Sequence, residues 1–176
     1  EASGTSNMKF MLDGALTVAT LDGANIEIKD YVGEDNIFIF GLKKEEVLQY
    51  EADHSYQSSD YYANDPILHR VLDAFVDGTI PSISAEGAEI FNSLVHANDE
   101  YFVLRDFEDY LRAQGEVEKT YRNPSLWNKK CLVNIANAGY FSSDYTIQKY
   151  ADEIWHVAPS DPLDGKDRGA NGQYPL

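Results

Sequence analysis

Residues 16–41 read LTVATLDGANIEIKDYVGEDNIFIFG and contain two short apolar runs separated by a segment of helical length. The runs at 16–21 and 37–41 are bounded by glycine and rich in β-branched and aromatic residues, as buried strands are. Between them, Asp22–Tyr31 is long enough for a helix, with Asp22 as its candidate cap. This order of strand, helix and strand predicts an α/β fold with parallel strands.

The sequence after residue 41 has helical patterns instead of strand patterns. Apolar residues from Ile67 to Val76 recur every three or four positions, and Pro124 follows the candidate cap Asn123. Helices are expected at 43–50, 59–77, 86–97, 106–121, 124–138 and 143–155. Residues 1–41 are thus expected to form a partial α/β segment, 42–156 the helical remainder of the same domain, and 157–176 an exposed, flexible tail. Two strands do not complete a parallel sheet, so the sheet is expected to continue in sequence outside this chain.

The charge of the chain limits its partners. There are 30 acidic and 14 basic residues, for a net charge of −16, which disfavours nucleic acid and anionic membranes. Apolar runs also fall short of the ~18 residues that a membrane span needs. The single cysteine, Cys131, has apolar neighbours and predicts a buried structural thiol in a reducing, cytoplasmic setting. Any bound phosphate must therefore be met locally, by backbone N–H groups, a helix end or a few cations.

Residues 1–15, EASGTSNMKFMLDGA, place a small polar turn before a short helix, Asn7–Leu12, which is expected to end near Gly14 with Thr5 or Ser6 as its cap. Successive N–H groups of residues 4–7 would form an anion cradle at the start of this helix.

Lys9, about one turn into the helix, is placed to reach back over this cradle. Its apolar neighbours Met8, Phe10 and Met11 are expected to desolvate it in part and to favour its neutral, nucleophilic form. An amine beside a phosphate cradle suggests pyridoxal phosphate. An ordinary capped helix with an exposed lysine explains the same residues, so the pattern alone leaves both interpretations open. The glycine patterns of nucleotide-binding loops are absent from this segment.

The segment EASGTSNMKFMLDGALTVATLDGANIEI resembles the pyridoxal-phosphate attachment region of α-glucan phosphorylases, whose pattern is Glu-Ala-Ser-Gly-Thr-Gly-Asn-Met-Lys. The resemblance continues in order over about residues 1–156, through Leu21–Asn25, Ile37–Gly41, Tyr121–Pro124, Phe141–Asp144 and Ile154–Trp155. The chain is identified by this resemblance as a carboxyl-terminal fragment of such an enzyme. The implied fold is part of a Rossmann-like domain of the GT-B type.

The resemblance also implies roles for individual residues. Lys9 would be the catalytic lysine that forms the Schiff base with pyridoxal 5'-phosphate, while the backbone of Gly4, Thr5 and Ser6 would help to hold its phosphate. Glu1, Ser3 and Gly4 would contact the hydroxyls of the glucosyl unit. No metal is implied.

The reaction implied by the resemblance is cleavage of terminal α-1,4 bonds of a glucan by inorganic phosphate, which yields glucose 1-phosphate. The cofactor's phosphate would exchange a proton with the substrate phosphate. The full-length protein would be a cytoplasmic, allosteric homodimer.

Two positions depart from the family pattern. Ser6 stands in place of a glycine and retains the backbone N–H. Asp13 stands in place of an asparagine, and a carboxylate near a helix C-terminus and within reach of a phosphate site is expected to lower activity. The fragment alone is expected to be inactive. The alternative hypothesis is a catalytically silent structural or interaction module.

Several other groups of residues are interpreted as structural. Asp106, Glu108 and Asp109 are expected to form a solvated helix face. The four histidines, at positions 54, 69, 96 and 156, lack the spacing of metal ligands. The tyrosines at 56, 61 and 62 are expected to pack instead of stacking on sugars, and Trp127 and Trp155 to anchor the core.

Overall fold

The computed structural model describes residues 4–158, except for the side chains of residues 84 and 85. The described residues form two compact units that divide between Asn137 and Ala138. The first contains, in order, α1 (Thr5–Leu12), β1 (Val18–Ala19), α2 (Ala24–Val32), β2 (Phe38–Ile39), α3 (Lys44–Asp53), α4 (Ser58–Asn64), α5 (Pro66–Asp73), α6 (Ser84–Phe91), α7 (Val103–Tyr121) and α8 (Pro124–Asn137). The second contains α9 (Ser143–Lys149), which lies between a 3-10 turn (Ala138–Phe141) and a π-helical turn (Tyr150–Trp155). Among these described helices, none has the length and apolar character needed to cross a membrane.

The two strands pair in parallel, which confirms the prediction of a helix-rich α/β chain with two short parallel strands. Val18 lies opposite Phe38 and Ala19 opposite Ile39, with α2 as the crossover between the strands. The predicted cap Asp22 is wrong. Its carboxylate instead accepts a hydrogen bond from the Thr20 hydroxyl at 2.7 Å.

Helix α1 packs through one face against α2 and α8. Met11 of α1 and Ile28 of α2 are each 0% exposed. The helix ends at Leu12, as predicted, two residues before Gly14. Gly14 has a φ of +80°, which glycine readily adopts, and its N–H donates to the Met11 carbonyl at 3.0 Å. This packing fixes the orientation of α1 relative to the end of β1.

The helical part of the first unit has its own apolar cluster, centred on Leu68, Leu72, Val95 and Leu104. The predicted single helix over residues 59–77 is wrong, because α4 ends at Asn64 and α5 begins at Pro66. The Asp65 carboxylate caps α5 by accepting the N–H groups of the second and third helical residues, at 2.8 and 3.1 Å. The break turns α5 so that its apolar face reaches the cluster.

The aromatic and histidine predictions have mixed outcomes. Trp155 is 55% exposed, so its predicted role as a core anchor is wrong, while Trp127 is half-buried against the edge of Tyr121. His69 stacks on Tyr62 and pairs with an Asp73 carboxylate. Within residues 4–158, no group of three or more His, Cys, Asp or Glu side chains is arranged to hold a metal. Cys131 is free and only half-buried.

Candidate cofactor-binding site

The start of α1 lies directly against the start of α2. A Cβ atom at Gly4 would lie 2.6 Å from the Cβ of Ala24, a separation that no side chain tolerates. Glycine at position 4 therefore allows the close approach of the two helices. Both helices begin beside the loop that follows β1, at the carboxyl end of the sheet, where α/β proteins bind their ligands.

A chain of amide hydrogen bonds fixes this arrangement. The side-chain amide of Asn7 donates to the Asn25 carbonyl oxygen at 2.6 Å, and the Asn25 amide donates to the backbone carbonyl of Thr20 at 3.1 Å. Asn25 is buried, so these bonds are shielded from water. The first turn of α1 is thereby tied both to α2 and to the loop after β1. Sequence reasoning did not assign Asn7 or Asn25 to the site. Each asparagine lies in the first turn of a predicted helix, and this was the one feature of the sequence that could have indicated a contact between the two helix starts.

The predicted capping of α1 by Thr5 or Ser6 is wrong. The helix begins at Thr5, its cap is Gly4, and both predicted caps lie in the first turn with exposed side chains. Glycine carries no side-chain oxygen that could accept an N–H group of the first turn. The positive end of the helix dipole is therefore uncovered by its cap residue.

Lys9 lies on the solvent-exposed face of α1, one turn from Thr5 and Ser6. Helical Cα–Cβ bonds tilt toward the N-terminus of their helix, so an exposed lysine at position 9 can reach the first turn with its amine. Desolvation by its neighbours was predicted wrongly, because Phe10 is 62% exposed and Met11 is buried on the opposite face. The residues fit a ligand that carries both a phosphate and an amine-reactive carbonyl.

The other predicted site residues are placed less directly. Glu1 and Ser3, the predicted glucosyl contacts, lie outside the described residues. Asp13 is exposed and follows the last residue of α1, at the opposite end from the first turn. The helix has 8 residues, so at ~1.5 Å per residue its ends are ~12 Å apart. This separation exceeds the ~8–10 Å Debye length of physiological salt, and the Asp13 charge is therefore well screened from the first turn.

The carboxyl end of β2 is occupied by carboxylates from α7. The Gly41 N–H donates to Asp109 at 2.8 Å and the Leu42 N–H donates to Asp106 at 2.9 Å. Arg112 pairs with Asp109 and donates to the Ile39 carbonyl at 2.9 Å. The predicted solvated face is therefore wrong for Asp106 and Asp109, although Glu108 is exposed as expected. Their spacing of three residues, followed three later by Arg112, was a readable signal of one helix face.

The two carboxyls differ in their acidity. Burial raises the pKa of Asp106, whereas the hydrogen bond from Arg112 lowers the pKa of Asp109. These carboxylates already accept the N–H groups that follow β2, so those groups are not left to bind a further anion. At this edge of the sheet, the paired starts of α1 and α2 are therefore the more favourable place for an anion.

The chain belongs to the carbohydrate phosphorylase family, which it matches over residues 1–157. The predicted resemblance to α-glucan phosphorylases is thereby confirmed.

The relatives of this chain are glycogen phosphorylases. It is 50% identical to that of Bacillus subtilis (strain 168) over 159 residues, which is 90% of this chain and 20% of the relative. Identity to the human brain form is 46% over 162 residues, covering 92% of this chain and 19% of the relative. The Haemophilus influenzae protein is also 46% identical over 162 residues, with 90% and 19% covered. The chain thus spans about a fifth of the length of these relatives.

Proposed function

We propose that this chain supplies the cofactor-holding wall of an α-glucan phosphorylase with a Rossmann-like, GT-B type catalytic domain. The enzyme transfers terminal glucosyl units of an α-1,4-glucan to inorganic phosphate and releases glucose 1-phosphate. The observation that carries the proposal is the exposed Lys9, one turn after the glycine-capped start of α1, in a chain that matches the family over residues 1–157.

Lys9 is the residue that holds pyridoxal 5'-phosphate. The backbone N–H groups at Gly4, Thr5 and Ser6 bind its phosphate, with support from the positive end of the α1 dipole. When bound, the cofactor supplies a phosphate group that exchanges a proton with the attacking inorganic phosphate. Glu1, Ser3 and Gly4 contact the hydroxyls of the glucosyl unit.

The position of Lys9 also bears on the activity of the isolated chain. Its amine faces solvent, whereas a site that excludes water needs walls on the other side of the ligand. We place those walls in sequence outside this chain, so the chain alone does not turn over. The intact enzyme acts in the cytoplasm as an allosteric homodimer and binds neither nucleic acid nor membranes.

Chemical trapping tests the assignment independently of activity. The protein as it occurs in its source is reduced with borohydride, digested and mapped by mass spectrometry. A reduced pyridoxyl adduct is expected on Lys9, with exposed Lys129 of α8 as the internal control that stays unmodified. If Lys9 carries no adduct, the cofactor assignment is refuted.

A matched variant separates the enzyme from a catalytically silent module. Lys9→Arg retains the positive charge on α1 but cannot hold the cofactor covalently. In the intact protein, both the cofactor absorbance and the formation of glucose 1-phosphate are expected to disappear. Undiminished phosphorolysis by Lys9→Arg would contradict the role of Lys9. If neither the wild-type protein nor the variant contains cofactor or forms glucose 1-phosphate, the silent module is supported instead.

A further inference from the structure

A cavity of about 410 Å³ lies between α3, α4 and α7 and shares no residue with the α1 site. We call it the tyrosine pocket, because Tyr50, Tyr56 and Tyr61 line it together with Leu104. Its volume falls within the ~300–1,000 Å³ that is typical of small-molecule sites.

The inner side of the tyrosine pocket is apolar and held in place. Tyr56 is 5% exposed and Leu104 is 3% exposed. The Tyr56 hydroxyl donates to the Asp99 carboxylate at 2.8 Å, and its ring centre lies 5.5 Å from that of Tyr61 and 5.8 Å from that of Tyr50. These contacts provide a preformed aromatic surface that needs little ordering when a ligand binds.

The rim of the pocket is polar and largely uncommitted. Gln57, Asp60 and Glu108 line it with exposed side chains, and these side chains form no hydrogen bond or ion pair to another residue of the described range 4–158. Arg105 also lines the pocket, where its guanidinium hydrogen-bonds the Tyr50 hydroxyl and keeps further N–H donors. The rim therefore offers both donors and acceptors at the edge of an aromatic surface.

The signs of these charges limit the ligand. An anion would face the carboxylates of Asp60, Asp65 and Glu108, while a cation would meet Arg105 in the same cavity. A neutral ligand avoids both conflicts. A hydroxyl group on the ligand can donate a hydrogen bond to a carboxylate, accept one from a guanidinium, or do either with an amide. A ligand with several hydroxyl groups therefore matches the mixed partners around this cavity. The apolar C–H face of a sugar ring suits the tyrosines beneath.

We propose that the tyrosine pocket binds a neutral mono- or disaccharide. Gln57, Glu108 and Arg105 hydrogen-bond its hydroxyls, and the tyrosine rings pack against its C–H face. This site goes beyond the proposed function, since it needs neither Lys9 nor the cofactor. Only the choice of a glucose-based probe rests on the proposed glucan substrate.

Nuclear magnetic resonance of the ¹⁵N-labelled chain tests the proposal. Maltose is expected to cause saturable amide shifts at residues around the tyrosine pocket, with a millimolar Kd that corresponds to about −4 kcal/mol. Glu108→Ala removes one charged hydrogen-bond partner and is expected to weaken binding by roughly tenfold. The matched control Glu89→Ala, another exposed helical glutamate outside the pocket, is expected to leave the Kd unchanged.

Three outcomes would overturn the assignment. The first is the absence of saturable shifts at maltose concentrations on the order of 100 mM, far above a millimolar Kd. The second is equal weakening by Glu108→Ala and Glu89→Ala. The third is tighter binding of choline or inorganic phosphate than of maltose at the same residues, which indicates a cation or anion site. Because the readout involves no pyridoxal phosphate, a negative result leaves the Lys9 experiments unaffected, and the reverse also holds.

Discussion

Replacement of Gly41 by alanine is expected to destabilise the chain more than a φ-matched glycine replacement elsewhere. Gly41 has a φ of +85°, and a Cβ atom there would lie 2.6 Å from the Asp106 carboxylate oxygen. The left-handed conformation alone costs an alanine about 1–2 kcal/mol. Displacement of the Asp106 carboxylate from the Leu42 N–H adds about 1–3 kcal/mol for the unsatisfied backbone group. The total is about 2–5 kcal/mol.

Gly78 provides the matched control, because its φ is +86° and a Cβ atom there would meet no other atom within 4 Å. Gly78→Ala should therefore carry only the conformational cost of about 1–2 kcal/mol. Urea unfolding followed by circular dichroism measures both variants. In an Asp106→Ala background, the excess cost of Gly41→Ala should vanish. Equal destabilisation by the two glycine variants in the wild-type background would refute the steric role of Asp106.

Two further predictions concern the packing of α1 and the edge of the sheet. Met11→Ala should lower the free energy of unfolding by about 2–5 kcal/mol, because Met11 is 0% exposed. Its neighbour Phe10 is 62% exposed, so Phe10→Ala should change the free energy of unfolding by only about 0.5 kcal/mol or less. Equal effects in urea unfolding would contradict the orientation of α1. The pKa of Asp109 is lowered in the folded state, so its ionised carboxylate stabilises the fold at pH values above the unfolded-state pKa of about 4. This stabilisation is lost as the pH falls through the folded-state pKa. Asp109→Asn should therefore flatten the acid arm of the stability–pH profile. Asp106→Asn should instead steepen the acid arm, because a carboxyl whose pKa is raised in the folded state favours the fold on acidification. If both variants change the slope of the acid arm in the same direction, the assignment of the two carboxyls is wrong.

The fold was predictable from sequence where local chemistry and periodicity agree. The parallel pair of strands follows from two glycine-bounded apolar runs on either side of a helical segment, and α1 ends at Leu12, just before Gly14, as expected. The helix predicted over residues 59–77 failed because its apolar period continues through Asp65-Pro66, where a capping carboxylate and a proline begin a new helix. Periodicity reports which face is buried, and capping chemistry reports where the helix is interrupted.

The candidate site was predictable in its residue types but not in its environment. An amine one turn after a polar, glycine-containing turn is visible in the sequence, whereas the exposure of Lys9 depends on which face of α1 contacts α2 and α8. Asp106 and Asp109 were assigned to solvent because acidic residues on a helix usually face water. Their partners, the N–H groups of Gly41 and Leu42, are more than sixty positions away in sequence. The local spacing indicates that these residues share one helix face, but it does not identify the distant backbone groups that they contact.

The net acidity of the chain is compatible with the proposed anionic cofactor, because the charges are separated along the edge of the sheet. Lys9 is the one ionisable residue in Thr5–Leu12, so the start of α1 combines a positive helix end with a cation. Asp106 and Asp109 lie at the end of β2, where backbone N–H groups and Arg112 balance their charge. The net charge of −16 is therefore a poor guide to the potential at α1. Beyond the ~8–10 Å Debye length, most of that charge is screened from a phosphate bound at the first turn.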